Sequence, residues 1–143
     1  MNMGEPRLAS LALSVEDYLA SEQEANERRE FIDGIVYAMV GTTLIHNHLA
    51  GAIYAALRSQ LKVPCRPYML DVKLRMETRG STVFYYPDVM VSCSKHDLKS
   101  HWIDDPSLVV EVPSPSTERI DRTEKMLAYS QIPSLQDLSL IHI

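Results

Sequence analysis

Leu108-Val109-Val110-Glu111-Val112 is a short apolar stretch with one carboxylate in the middle of it. A continuous apolar run of this length is typical of a central strand that is covered on both faces. An ionised Glu in such a place costs several kcal/mol, as an order of magnitude, unless it is paired, protonated or bound to a metal. The stretch therefore predicts a buried strand and a partner for Glu111.

A second acid stands in a similar setting earlier in the chain, within Tyr85-Tyr86-Pro87-Asp88-Val89-Met90-Val91. Proline has no backbone N–H, so Pro87 can stand only at the start of such a strand. Asp88 follows it directly and is therefore predicted at the beginning of the strand. Two strands that each carry one inward acid can form one anionic pocket. Glu30 and Asp71 add further oxygen ligands of the kind that Mg²⁺ prefers, and a bound Mg²⁺ can activate a water that attacks phosphorus. These residues predict phosphodiester hydrolysis.

Length and charge limit the class of protein. The 143 residues suit a single domain, which we expect over residues 14–143 after an N-terminal tail over residues 1–13. We expect a cytoplasmic protein without a membrane partner, because no apolar run approaches the roughly 20 residues that span a bilayer and no signal peptide is evident. The formal charge of −5 argues against an obligate nucleic-acid-binding module. It argues less against a metal nuclease, whose ligand acids contribute to that negative total.

Local patterns predict a mixed α/β domain with a central sheet flanked by helices. Ser14 predicts the N-cap of a short helix, Asp33-Gly34 predicts a type I′ hairpin turn, and apolar spacings of three and four predict a helix from about Thr43 to Leu61. A helix over about residues 118–130 and a strand from about Leu135 follow.

Two further patterns lead to specific expectations about exposure. The alternation over residues 68–77 predicts one continuous strand with one core face. Asp71, Lys73 and Arg75 share the other face, which is either a solvent face or, at Asp71, part of the site. Cys65 and Cys93 are not spaced as a disulfide framework, and we interpret them as small buried hydrophobic residues.

Helical spacing nominates additional site candidates. His46 falls at the edge of the apolar stripe of its helix, where a packing or capping role is also open, whereas His48 lies about 200° further round. Asp121, Lys125 and Tyr129 follow one another at four-residue steps on one side of the last helix. Lys125 is either a solvated partner of Asp121 or a site residue, and Tyr129 is either packing or part of the site.

Several of these segments resemble, in order and spacing, the Uma-two family of restriction-endonuclease-like proteins, which belongs to the PD-(D/E)xK nuclease superfamily. The segments are Glu30-Phe31-Ile32-Asp33-Gly34, His46-Asn47, Asp71, Tyr86-Pro87-Asp88-Val89, Val110-Glu111-Val112-Pro113-Ser114-Pro115-Ser116-Thr117, Asp121-Arg122 and Lys125-Met126-Leu127-Ala128-Tyr129.

The resemblance implies a restriction-endonuclease-like core whose central strands present Asp88 and Glu111 to Mg²⁺ or Mn²⁺. Members of the superfamily usually carry a lysine two residues after the second acid, where this chain has Pro113. The resemblance therefore nominates Lys125, from the following helix, as the lysine that holds the attacking water or offsets phosphate charge. Glu30 would support the metal site. DNA is the implied substrate, and cutting both strands would suggest a homodimer.

Two alternatives stay open. The same fold could serve as a catalytically inactive binding or assembly module, which the missing strand lysine and the negative charge favour. The same acids could also hydrolyse a small phosphate ester. Because similar chains continue with more sheet and helix, we also expect that this chain is truncated at its C-terminus.

Overall fold

The computed structural model describes residues 12–39, 41–113 and 119–141, so residues 1–11 of the predicted tail lie outside it. Within the described residues the elements are α1 (Val15–Glu24), β1 (Arg29–Ile32), β2 (Ile35–Ala38), α2 (Leu44–Gln60), β3 (Arg66–Met69), β4 (Lys73–Thr78), β5 (Ser81–Tyr85), β6 (Val89–Ser92), β7 (Trp102–Ile103), β8 (Leu108–Glu111), α3 (Arg119–Ser130) and β9 (Asp137–Leu140). The predicted mixed α/β class is confirmed. In this part of the chain no helix is both long enough and apolar enough to cross a bilayer.

The structure confirms the local predictions of the helix starts and of the hairpin turn. The Ser14 hydroxyl accepts the Asp17 N–H at 3.0 Å and caps α1, as predicted. Asp33 and Gly34 both have positive φ, 50° and 83°, which is what a type I′ turn between β1 and β2 requires. Helix α2 begins at Leu44 with Thr43 as its cap. These features depend on neighbouring residues alone, which is why a sequence pattern could predict them.

The strands form two mixed sheets rather than the single central sheet that was predicted. One sheet has the order β2-β1-β5-β4-β7 and the other has the order β3-β6-β8-β9. The predicted continuous strand over residues 68–77 is wrong, because it breaks between β3 and β4. Leu70 adopts a φ of 58° there, which ends the extended conformation and sends the two halves into different sheets.

Lys73 is buried, which corrects its predicted place on a solvent face. Only 6% of the residue is exposed, and its Nζ lies 5.6 Å from the centroid of the Tyr86 ring. The reason is tertiary: this face of the five-stranded sheet also carries Phe31 and Phe84, which pack against Tyr18 of α1. Burial lowers the pKa of Lys73.

The cysteine prediction is also wrong, because Cys65 and Cys93 form a disulfide. Arg66 pairs with Ser92 in the antiparallel β3–β6 ladder, so the next pair outward is Cys65 with Cys93. Directly opposed residues bring their Cβ atoms within the range that a disulfide spans. The pairing follows from strand register, which a spacing of twenty-eight residues in sequence does not reveal.

The other face of the five-stranded sheet meets the main core. Leu74 and Tyr85 on this face pack with Val109 of β8 and Tyr129 of α3. Successive residues of a strand point to opposite faces. Arg29 of β1 therefore contacts α1, whereas its neighbour Glu30 points towards α3.

Candidate active site

Asp88 and Glu111 lie directly opposite each other where β6 and β8 meet. Val89 pairs with Val110, so the next position outward sets Asp88 against Glu111. The Asp88 N–H donates to Glu111 Oε1 at 2.8 Å, and the Val112 N–H donates to Asp88 Oδ2 at 2.7 Å. The structure thus brings the two predicted metal ligands together, and each carboxylate is oriented by the backbone of the other's strand.

The two carboxylates are poorly compensated electrostatically. Burial and the neighbouring Asp88 carboxylate raise the pKa of Glu111 to about 7, although the Lys125 ammonium acts in the opposite direction. The Tyr129 hydroxyl donates to Glu111 Oε2 at 3.1 Å. Burial, followed by the Glu111 charge, raises the pKa of Tyr129 well above its ordinary value, so the phenol remains a donor.

Helix α3 directs Lys125 into the same cluster. The Lys125 Nζ lies 2.6 Å from Glu30 Oε2 and 5.1 Å from the centroid of the Tyr85 ring. Only 13% of the Lys125 side chain is exposed, so the solvated alternative for this lysine does not hold. The side chain of Asp121 lies outside the described residues. Glu30, predicted to support the site, reaches it through this ion pair.

His46 also enters the cluster. Its Nε2 lies 3.2 Å from Asp88 Oδ1, and its Nδ1 lies 2.8 Å from the Thr42 hydroxyl. The imidazole is thus held between a carboxylate oxygen of Asp88 and the hydroxyl of Thr42. His48, on the same helix, is exposed.

Asp71 is not brought into this cluster. Its side chain is 87% exposed in the link between β3 and β4, and its ion pair is with Arg28 at 3.8 Å. The prediction that it supports the site rested on its place in a continuous strand. Asp71 lies on the surface, which agrees with the solvent-face alternative and not with a supporting role in the site.

Sequence reasoning missed a second buried carboxylate. Only 4% of the Glu22 side chain of α1 is exposed. It accepts the Arg29 N–H at 2.8 Å, the Arg29 Nε–H at 2.9 Å and the Tyr86 hydroxyl at 2.6 Å. A signal was present: Glu22 stands four residues after the buried Tyr18, on the same helical face.

The donor set at Asp88 and Glu111 fits a hard divalent cation. In the described ranges no group of three or more His, Cys, Asp or Glu side chains is arranged to hold a metal ion. Mg²⁺ commonly uses one or two carboxylates and keeps several waters, so it does not need a third such ligand. Two adjacent carboxylates, one with its pKa raised towards 7, form a local excess of negative charge that a cation would neutralise.

Comparison with known proteins identifies the family. The profile of the Uma2 family, described as "Putative restriction endonuclease", matches residues 15–142. The chain belongs to the Uma2 family. An uncharacterized protein of Synechocystis sp. is 38% identical over 142 residues, covering 90% of this chain and 68% of that protein. A second from the same organism is 33% identical over 133 residues, covering 90% and 74%.

A solved structure supports the fold of this Uma2 chain. The crystal structure of a "putative nuclease" from Anabaena variabilis matches with a TM-score of 0.68 at 15% identity, covering 91% of this chain and 74% of that chain. The chain thus has the restriction-endonuclease-like fold that was predicted. Membership of the family supports a nuclease-like function.

Proposed function

We propose that this chain is a Mg²⁺- or Mn²⁺-dependent endonuclease that hydrolyses phosphodiester bonds in DNA. The observation that carries the proposal is the opposed pair Asp88 and Glu111, held by reciprocal backbone hydrogen bonds and close enough that the Asp88 charge helps to raise the pKa of Glu111. When bound there, the cation would polarise the phosphate and lower the pKa of a water ligand.

The chain's own residues would divide the remaining work. Asp88 and Glu111 would hold the cation, with His46 orienting Asp88. Tyr129 would hold Glu111 through its hydrogen bond. Lys125, kept in place by Glu30, would position the attacking water or offset charge on the phosphate. A lysine from α3 would replace the lysine that similar proteins carry two residues after the second acid.

The direct test is nicking of supercoiled plasmid by the purified chain with Mg²⁺ or Mn²⁺ and with EDTA. We expect metal-dependent nicking that Asp88→Asn and Glu111→Gln each reduce by 10²-fold or more, as an order of magnitude. Asp71→Asn is the matched control, because it removes an acid that lies outside the cluster. Equal loss in the control, or nicking that persists in EDTA, would contradict the proposal.

Two substrate arms separate the alternatives. Cleavage of an aryl phosphate diester without cleavage of DNA would favour a small-ester hydrolase. Binding of Mn²⁺ in calorimetry without cleavage of either substrate would favour a nuclease-like module that does not cut. Loss of Mn²⁺ binding in Asp88→Asn, together with loss of nicking, supports the endonuclease.

A further inference from the structure

The Glu22 cluster lies next to the chain segment that carries Asp88. Tyr86 donates to Glu22 Oε2 at 2.6 Å, and Asp88 follows two residues later. The residue between them, Pro87, is fully buried and has a ring that fixes its φ. A displacement of Tyr86 is therefore transmitted to Asp88 with little room for the backbone to absorb it.

Glu22 is a rigid acceptor for that hydroxyl. Its Oε1 accepts from the Arg29 guanidinium and its Oε2 accepts from the Arg29 N–H, so strand β1 fixes both oxygens. Arg28 and Lys73 flank the Tyr86 ring, each at 5.6 Å from its centroid. Tyr86 is consequently held both at its hydroxyl and across its ring.

The hydrogen bonds of Asp88, at the other end of residues 86–88, depend on the position of Tyr86. The Asp88 carbonyl accepts the Leu70 N–H at 3.2 Å, and the Asp88 N–H donates to Glu111. Asp88 Oδ2 can accept the Val112 N–H only while Asp88 keeps its position along the direction of β6. A shift of the segment would break the reciprocal bonds that set the two carboxylates against each other.

We propose that Glu22 and Tyr86 are positioning residues that set the place of Asp88 in the metal site, a role that rests on the proposed function. Neither residue contacts the cation site itself. They act through the 86–88 segment, as the partners that orient metal ligands do in other proteins. Their loss should therefore weaken metal binding even where the chain still folds, as in Tyr86→Phe.

Tyr86→Phe is the sharpest probe, because it removes one hydroxyl and keeps the ring. Tyr68→Phe is the matched control: it removes a hydroxyl from β3, where the ring packs against the main core and His96. We expect Tyr86→Phe and Glu22→Gln to weaken Mn²⁺ binding in calorimetry about tenfold or more. Tyr68→Phe should stay within about twofold of the parent, because among the described residues its hydroxyl is not a hydrogen-bond partner of Glu22, Tyr86 or Asp88.

A measurement without metal distinguishes failure of the positioning role from failure of the proposed function. In ¹⁵N NMR without metal, Tyr86→Phe should shift the amide signals of Asp88 and Val112, and Tyr68→Phe should leave them in place. Unchanged amides, with Mn²⁺ affinity equal in the parent and Tyr86→Phe, would overturn the positioning role while the proposed function stands. If the parent binds no Mn²⁺, the proposed function fails, and the amide shifts alone then decide whether this pair places Asp88. If Glu22→Gln does not fold, Tyr86→Phe carries the test.

Discussion

Two carboxylates, Glu22 and Glu111, lie on opposite sides of the Tyr85-Tyr86 segment and have opposite surroundings. Glu22 is met by a guanidinium, a backbone N–H and the Tyr86 hydroxyl. Glu111 accepts a backbone N–H and the Tyr129 hydroxyl, but it faces a second carboxylate, Asp88. Glu22 is thus neutralised by its partners, whereas Glu111 lies against a like charge. We call the surroundings of Glu22 the paired side and those of Glu111 the crowded side.

The difference separates a structural contact from a site for chemistry. A buried carboxylate that is fully paired stabilises the fold only while its partner is present. A carboxylate that burial and a like charge push towards protonation is ready to bind a cation or exchange a proton. The comparison makes opposite predictions for mutation of the two residues.

The largest expected effect is on folding at the paired side. Glu22→Ala should lower the free energy of unfolding by about 3 to 5 kcal/mol, because it leaves the Arg29 guanidinium and the Tyr86 hydroxyl without their acceptor. Glu111→Gln in EDTA at pH 8 should be neutral or stabilising, since it removes one of two repelling charges. Urea denaturation measures both. Equal losses in the two variants would show that Glu22 and Glu111 contribute alike to stability.

The next effect is a pH dependence that belongs to the crowded side. The pKa of Glu111 rises from 4.5 to about 7 on folding, so the folded chain binds a proton that the unfolded chain has released. Without metal, this contribution to stability is fully present below about pH 4.5 and is lost as pH rises to about 7, a change of about 3 kcal/mol. Urea denaturation in EDTA across this range should show the loss in the parent, and Glu111→Gln should lack it. A parallel pH profile in the two proteins would refute the assignment.

Sequence patterns predicted the crowded side and missed the paired one for a physical reason. An acid inside an apolar strand, as at Glu111, conflicts with its own neighbours, and that conflict is visible in the sequence. Glu22 stands on a helix whose exposed face is rich in polar residues, so its burial depends on where α1 packs. The four-residue step from Tyr18 to Glu22 places both on one face of α1, but the sequence does not indicate which partners that face meets.

The remaining errors also come from long-range structure. Leu70 carries no sequence signal for a positive φ, so the alternation over residues 68–77 does not predict the break between β3 and β4, and it leaves open whether Asp71 lies in the site or on the surface. The burial of Lys73 depends on α1, and the Cys65–Cys93 disulfide depends on strand register. Lys125 was nominated through resemblance, because helical spacing alone left it equally suited to a solvated ion pair.

A third prediction concerns Lys125, the ammonium group on the crowded side. Lys125→Ala should lower the nicking rate by about 10²-fold, as loss of a positioned transition-state group does. Mn²⁺ affinity should be unchanged or slightly higher, because removal of the ammonium leaves Asp88 and Glu111 more negative. Lys62→Ala, at an exposed position after α2, is the control. A rate loss under twofold in Lys125→Ala would remove this lysine from the chemistry.

The smallest expected effect separates two histidines on one helix. His46 contacts Asp88 Oδ1 at 3.2 Å, whereas His48 is exposed on the other side of α2. A group that orients a metal ligand without binding the metal typically contributes 10- to 100-fold to affinity, and His46 shares Asp88 with the Val112 N–H, so we expect the low end of about tenfold. Calorimetry with Mn²⁺ should show this weakening in His46→Ala and no change in His48→Ala. Equal affinities in both variants would mean that the backbone bonds alone orient Asp88, and that the crowded side needs no support from α2.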